Sequence, residues 1–221
     1  MNKEINFDKL KRIQENLARK VRKKLPDDFN LKIITGVDVS YSKFDNIAIA
    51  MAVSIDIKED TIIEKKSLKF KAIFPYKSGF LAFREVPYYQ KVLKKLEKIP
   101  DLLLVDGFGI LHPRKIGSAA HLGILMKIPT IGIGKSKFVG QEDFIPKKPG
   151  EYAPVRLNNE ILGVLLKPNT GNNIYISIGN LIELELAIDI VYKQIKPNKR
   201  LPEPLFLADK YSRKILKTEF Y

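Results

Sequence analysis

The chain contains no cysteine and no tryptophan, and only two histidines, His112 and His121. Lack of cysteine excludes disulfides, zinc-thiolate sites, iron–sulfur clusters and a thiol nucleophile together. Any metal must be held by oxygen or by those two imidazoles. Long apolar runs are also missing: residues 102–105 and 161–166 fall far short of the roughly 20 needed to cross a bilayer. The charged start, Met1-Asn2-Lys3-Glu4, carries no signal-peptide pattern, so a soluble cytoplasmic protein with no membrane partner is expected.

What is present in excess is positive charge. Against 39 Lys+Arg stand 25 Asp+Glu, a formal net charge of +14. Such a field attracts polyanions, nucleic acids and anionic lipid surfaces first among them, although a Lys- and Ile-rich genome or a hot habitat produces a similar balance. With 221 residues, 45% of them hydrophobic, the chain can bury a real core without staples. It has no repeat, no low-complexity tract and no clear linker, so a single α/β domain spanning 1–221 with a mixed sheet is expected.

Phe7, Leu10, Ile13, Leu17 and Val21 recur at helical spacing, predicting a basic amphipathic helix over 7–24. Residues 31–41, 47–57 and 61–73 are rich in β-branched side chains, and Lys58-Glu59-Asp60 between the last two reads as a hairpin turn, giving an antiparallel meander. A loop at 74–79 precedes a helical stretch over 80–99, interrupted or restarted at Pro87. Residues 101–106 and 129–133 read as buried parallel strands around a helix at 117–127. A long loop at 139–152, strands at 155–157, 161–167 and 174–178, a helix at 181–195 and a last helix ending near Lys217 complete the chain.

Two carboxylates stand where burial opposes them. Asp38 lies in the middle of the strand Gly36-Val37-Asp38-Val39-Ser40-Tyr41, and Asp106 ends an apolar strand. A buried acid costs several kcal/mol unless it is paired or metal-bound. Singly, Asp38 could pair with a lysine and Asp106 could cap the next turn. On adjacent strands the two together call for a cation, and an all-oxygen donor set suits Mg²⁺. Glu85 could add a third oxygen, although an exposed helical glutamate is usually just solvated.

The motifs GVDVSY (36–41), PY (75–76) followed by GFLAFRE (79–85), DLLLVDGFGILHPR (101–114), AAHLG (119–123), PTIGIGKS (129–136) and RLPEPLFLAD (200–209) run through nearly the whole chain. In this order they resemble the endonuclease V family, nucleases of deaminated bases. The resemblance implies a ribonuclease H-like fold, a three-stranded antiparallel meander continued by parallel strands with helices on both faces. It implies metal-binding roles for Asp38, Glu85, Asp106 and Asp209, a catalytic Lys135 and a catalytic or substrate-contacting His112. It implies substrate contacts from Pro75, Tyr76, Gly79, Leu81, Gly107, Gly109 and Gly117, with Tyr76 as a wedge in the helix beside the damaged base.

The activity implied is Mg²⁺-dependent hydrolysis, with Mn²⁺ able to substitute, of the second phosphodiester 3′ to deoxyinosine. The products would carry 3′-hydroxyl and 5′-phosphate ends, and the enzyme would act as a monomer. Two departures stand out: Lys77-Ser78 replaces the rigid end of the family's Pro-Tyr-any-Pro wedge, and Phe108 replaces the usual Asn between two glycines. His121, in an apolar helical pattern, reads as a packed core residue. The competing readings are a non-catalytic basic nucleic-acid-binding module and an inosine-specific ribonuclease.

Overall fold

The computed structural model describes residues 5–220. The chain runs α1 (Phe7–Ala18), β1 (Ile33–Tyr41), β2 (Ile47–Asp56), β3 (Thr61–Lys71), α2 (Leu81–Leu93), β4 (Leu102–Asp106), α3 (Ser118–Met126), β5 (Thr130–Gly134), β6 (Gln141–Glu142), β7 (Tyr152–Leu157), β8 (Glu160–Leu166), β9 (Ile174–Asn180), α4 (Leu184–Lys193) and α5 (Glu203–Phe220). One nine-stranded sheet has the order β3-β2-β1-β4-β5-β9-β8-β7-β6. The β1–β2–β3 meander is antiparallel, and β1, β4 and β5 are parallel, as expected of the mixed sheet. No described helix is long and apolar enough to cross a membrane.

Side-chain alternation along the strands splits the core between two faces. Ala48, Ala50 and Ala52 of β2 join Val37, Val39, Leu103 and Val105 against Val86 and Tyr89 of α2 and Ala119 and Leu122 of α3. The intervening Met51, Val53 and Ile55 meet Leu207 and Ala208 of α5 on the other face. Asp38 pairs across the ladder with Met51, so its side chain points toward α5. Val37 is level with Val105 in the parallel β1–β4 pair. One residue further on, Asp38 and Asp106 therefore emerge side by side on the same face.

The start of α5 crosses directly over β1. A Cβ on Gly36 would lie 2.3 Å from the carbonyl carbon of Pro204, so only glycine permits the crossing. One helical turn past Leu205, the same helix delivers Asp209 to the carboxylates of β1 and β4.

Three expectations need correction. The first helix ends at Ala18 rather than residue 24, because the Arg22 backbone is used elsewhere: its N–H donates to Asn180 Oδ1 and its carbonyl accepts from Leu181. The helix through Pro87 is continuous from Leu81 to Leu93. Pro87 is exposed, so the carbonyl left without its N–H partner lies on the solvent side, where water can serve it. The long loop contains the short strand β6, paired with β7 at Arg156 and Val155, and β7 begins at Tyr152.

Candidate active site

Asp38, Asp106 and Asp209 each offer an oxygen, and these oxygens all lie within 4.8 Å of one another. Asp38 is almost fully buried and receives a hydrogen bond from Ser212 Oγ (3.2 Å), itself 2.7 Å from Ser40 Oγ. Burial first, and the Asp106 carboxylate next, push the Asp38 carboxyl well above the usual range. Lys135, just beyond β5, donates to Asp106 Oδ2 and to Asp209 Oδ1 (3.1 Å). Burial alone would lower the Lys135 pKa, but Asp106 and Asp38 outweigh it and keep the ammonium charged. Arg213, one turn after Asp209, donates to Asp209 Oδ1 at 2.8 Å.

These observations test whether a divalent cation fits. The donors are all carboxylate oxygens, as a hard ion prefers. Burial first and Asp106 next raise the Asp38 carboxyl, so its charged form gains from a further cation beside Lys135 and Arg213, and the residues fit the ion.

Glu85 is not among the three. It sits on α2, on the opposite face of the sheet, where Tyr41 OH donates to Oε1 (3.0 Å) and Tyr89 OH to Oε2 (3.3 Å). Burial outweighs both tyrosines and raises its pKa to about 8. Glu85 nevertheless lines the same cavity of about 340 Å³ as Asp38 and Asp106.

That cavity also contains Tyr76, Gly79, Leu81, Gly107, Gly117, His112 and Lys135, so the structure brings together most residues expected to meet substrate. Tyr76 projects from the 74–80 loop and is 74% exposed. Phe108 tilts against Phe138 and Tyr175 and gives the cavity an aromatic wall where a polar side chain was expected from the family pattern. Lys77, the other departure, lies 3.8 Å over the Phe7 ring and so pins the loop to α1.

Pro75 and Gly109 are placed differently from the others. Pro75 is exposed on the loop and Gly109 is turned into the sheet, where a Cβ would lie 1.9 Å from the Ile178 carbonyl oxygen. Close backbone packing therefore accounts for Gly109 without a base.

His112 lines that cavity with both ring nitrogens engaged by protein partners. Nδ1 accepts from the Arg114 N–H (3.1 Å), so Nε2 carries the proton and faces the Gly79 carbonyl (3.2 Å). Burial, then Arg114, push its pKa down to about 4, leaving a neutral imidazole that holds the loop. Two further donors converge on that carbonyl, Gln14 Nε2 (2.9 Å) and Arg114 Nη2 (2.6 Å), and Gln14 Oε1 accepts from Arg114 Nε (2.6 Å). His121 is buried edge-on to Phe83, the packed core residue expected.

These supporting groups carry little signal in the sequence: nothing in the motifs around Arg114 and Tyr41 assigns either a partner. Gln14 carries one, as a polar residue in the apolar stripe of α1.

Comparison with known proteins gives a consistent picture. The sequence profile of the family described as Endonuclease V matches residues 15–210. A protein named Endonuclease V from Rippkaea orientalis is 40% identical over 207 residues, covering 93% of this chain and 89% of its own. One of the same name from Desulfurococcus amylolyticus is 37% identical over 187 residues, 85% of this chain and 83% of its own. The crystal structure of the Bacillus subtilis protein superposes with a TM-score of 0.90 at 29% identity, over 98% of this chain and 94% of that one. Ciona intestinalis Endonuclease V, crystallised with a 24mer DNA containing an inosine followed by a ribo-adenosine, gives a TM-score of 0.86 at 33% identity, over 96% and 98%.

Proposed function

Since the chain belongs to the endonuclease V family, we propose that it is a Mg²⁺-dependent deoxyinosine 3′-endonuclease that hydrolyses the second phosphodiester 3′ to the lesion. The observation that carries this reading is the convergence of Asp38, Asp106 and Asp209 within 4.8 Å beside Lys135. These three acids would hold the ion, with Mn²⁺ as an acceptable substitute. A bound Mg²⁺ supplies an activated water and neutralises charge growing on the phosphoryl oxygens.

The remaining work falls to the chain's own side chains. Lys135 presents a compact cation to a phosphate oxygen. Glu85 borders the same cavity, with Tyr41 and Tyr89 donating to its two oxygens, and would place a carboxyl beside the three acids. Reading a single base requires taking it out of the stack, and the weak pairing of hypoxanthine lowers that cost. The 340 Å³ cavity between Tyr76, Phe108 and Gly117 is of a size to receive an extruded base, and the exposed Tyr76 ring replaces its lost stacking.

The test is a duplex with one deoxyinosine incubated with Mg²⁺ and its products mapped to the nucleotide. A single cut at the second bond is expected. Asp38→Asn and Asp106→Asn should each lower the rate by more than about 100-fold, the upper cost of disturbing groups that only support a metal ligand. Undiminished cutting by both variants, or salt-sensitive binding with no cutting and no response to Mg²⁺, overturns the reading. The same strand made as RNA, added in competition, ranks the two substrates.

A further inference from the structure

A second cavity, of about 640 Å³, opens on the other flank of the carboxylates, between the β1–β2 turn and α5. Asp209, Arg213, Leu216 and Lys217 line it from one stripe of α5, at the i, i+4, i+7 and i+8 spacing of a single helix face. Lys43 and Phe44 line it from the turn. Apart from the three acids, every charged residue lining it is a cation: Lys43, Lys135, Arg213 and Lys217.

Phe44 is 77% exposed, in a turn ordered by Phe44 N–H donating to Ser42 Oγ (3.2 Å) and Ile47 N–H to Asp45 Oδ1 (3.0 Å). An aromatic ring held out to solvent beside a row of cations matches what an unpaired nucleic-acid strand requires, a face for a base and charges for its phosphates.

The two cavities share Asp38, Asp106 and Lys135. If the extruded base occupies the first and the reacting phosphate lies at the acids, the strand continues into the second. Resting on the nuclease reading above, we propose that this groove is a subsite for the strand 3′ to the hydrolysed bond. In it Phe44 stacks on a base, and Lys43 and Lys217 contact phosphates.

Two measurements test it. The first is fluorescence anisotropy with a 5′-phosphorylated, inosine-free single strand matching the 3′ product. Phe44→Ala should bind it about tenfold more weakly, the effect of one lost base–aromatic stack. In the variant carrying both Lys43→Ala and Lys217→Ala, the slope of log K against log salt should fall by about 0.7 for each contact removed. Lys58→Ala, at the far end of β2, should change neither.

The second measurement compares inosine strands ending just past the cut with strands extended several nucleotides in the 3′ direction. Extension should raise kcat/KM for the wild type and do so much less for Phe44→Ala. Unchanged product binding in both variants, with the full gain on extension retained, overturns the subsite while leaving the nuclease reading intact. A wild type that cuts no inosine strand overturns the nuclease reading, and product binding then decides the groove by itself.

Discussion

Three buried titratable side chains pull the pH dependence of stability in opposite directions. His112 and His121 are both pushed down to about 4 by burial. Below the ordinary histidine value of 6.5 the unfolded chain binds protons that the fold refuses. Their contribution is therefore present above that value and lost as pH falls toward 4. Glu85 has the opposite sign: with its pKa raised from 4.5 to about 8, its contribution is present below 4.5 and lost as pH rises through 8. A single pH curve of the whole protein mixes these effects, so variants are needed to separate them. In urea unfolding with a chelator present, the advantage of wild type over His121→Leu should shrink on acidification from pH 6.5, by about 1.4 kcal/mol per pH unit. Glu85→Gln should gain on wild type between pH 4.5 and 8. Parallel curves for wild type and variant would mean that the group titrates normally.

At the scale of elements, α1 does more than cover the core. Its buried Gln14 joins Arg114 and His112 on the Gly79 carbonyl, so a helix that supplies none of the carboxylates anchors the end of the loop that carries Tyr76. Gln14→Leu leaves Arg114 Nε without its acceptor, and leaving a buried polar group unpaired costs about 1–3 kcal/mol. The urea midpoint should fall accordingly, and KM for an inosine strand should rise more than kcat falls, since the carboxylates are untouched. A lower midpoint with unchanged KM would confine Gln14 to stability.

The same elements show how far sequence reading reaches. The meander was legible because period-two alternation and the Lys58–Asp60 turn are local signals. Asp38 and Asp106 were legible because an acid in a buried strand contradicts its surroundings. Glu85 stood out only through the family resemblance, since nothing local shows that Tyr41 and Tyr89 receive it. The end of α1 at Ala18 was hidden because Val21 keeps the helical spacing although its segment is held by Asn180 and Leu181, partners more than 150 residues away. The engagement of both His112 nitrogens depends on the Gly79 carbonyl and the Arg114 N–H, which no spacing rule anticipates.

Over the whole molecule, a net charge of +14 surrounds a centre where three carboxylates converge. The outer field draws a phosphate backbone in, while the centre repels it until a divalent cation is bound. This arrangement separates capture, which is electrostatic and indifferent to sequence, from commitment, which depends on the ion. Without metal, binding to an inosine-free duplex should weaken with salt at about 0.9 in log K per log salt for each phosphate neutralised. Under the same conditions Asp106→Asn and Asp209→Asn, which remove the two carboxylates paired with Lys135, should bind that duplex more tightly than wild type. Adding Mg²⁺ at constant ionic strength should strengthen wild-type binding and erase or reverse the variants' advantage, because only the complete set of acids gathers the ion that masks it. Titrations of wild type and both variants with and without Mg²⁺ provide the check. If the variants bind no more tightly than wild type in chelator, the acids are not what keeps the backbone away from the metal-free cleft.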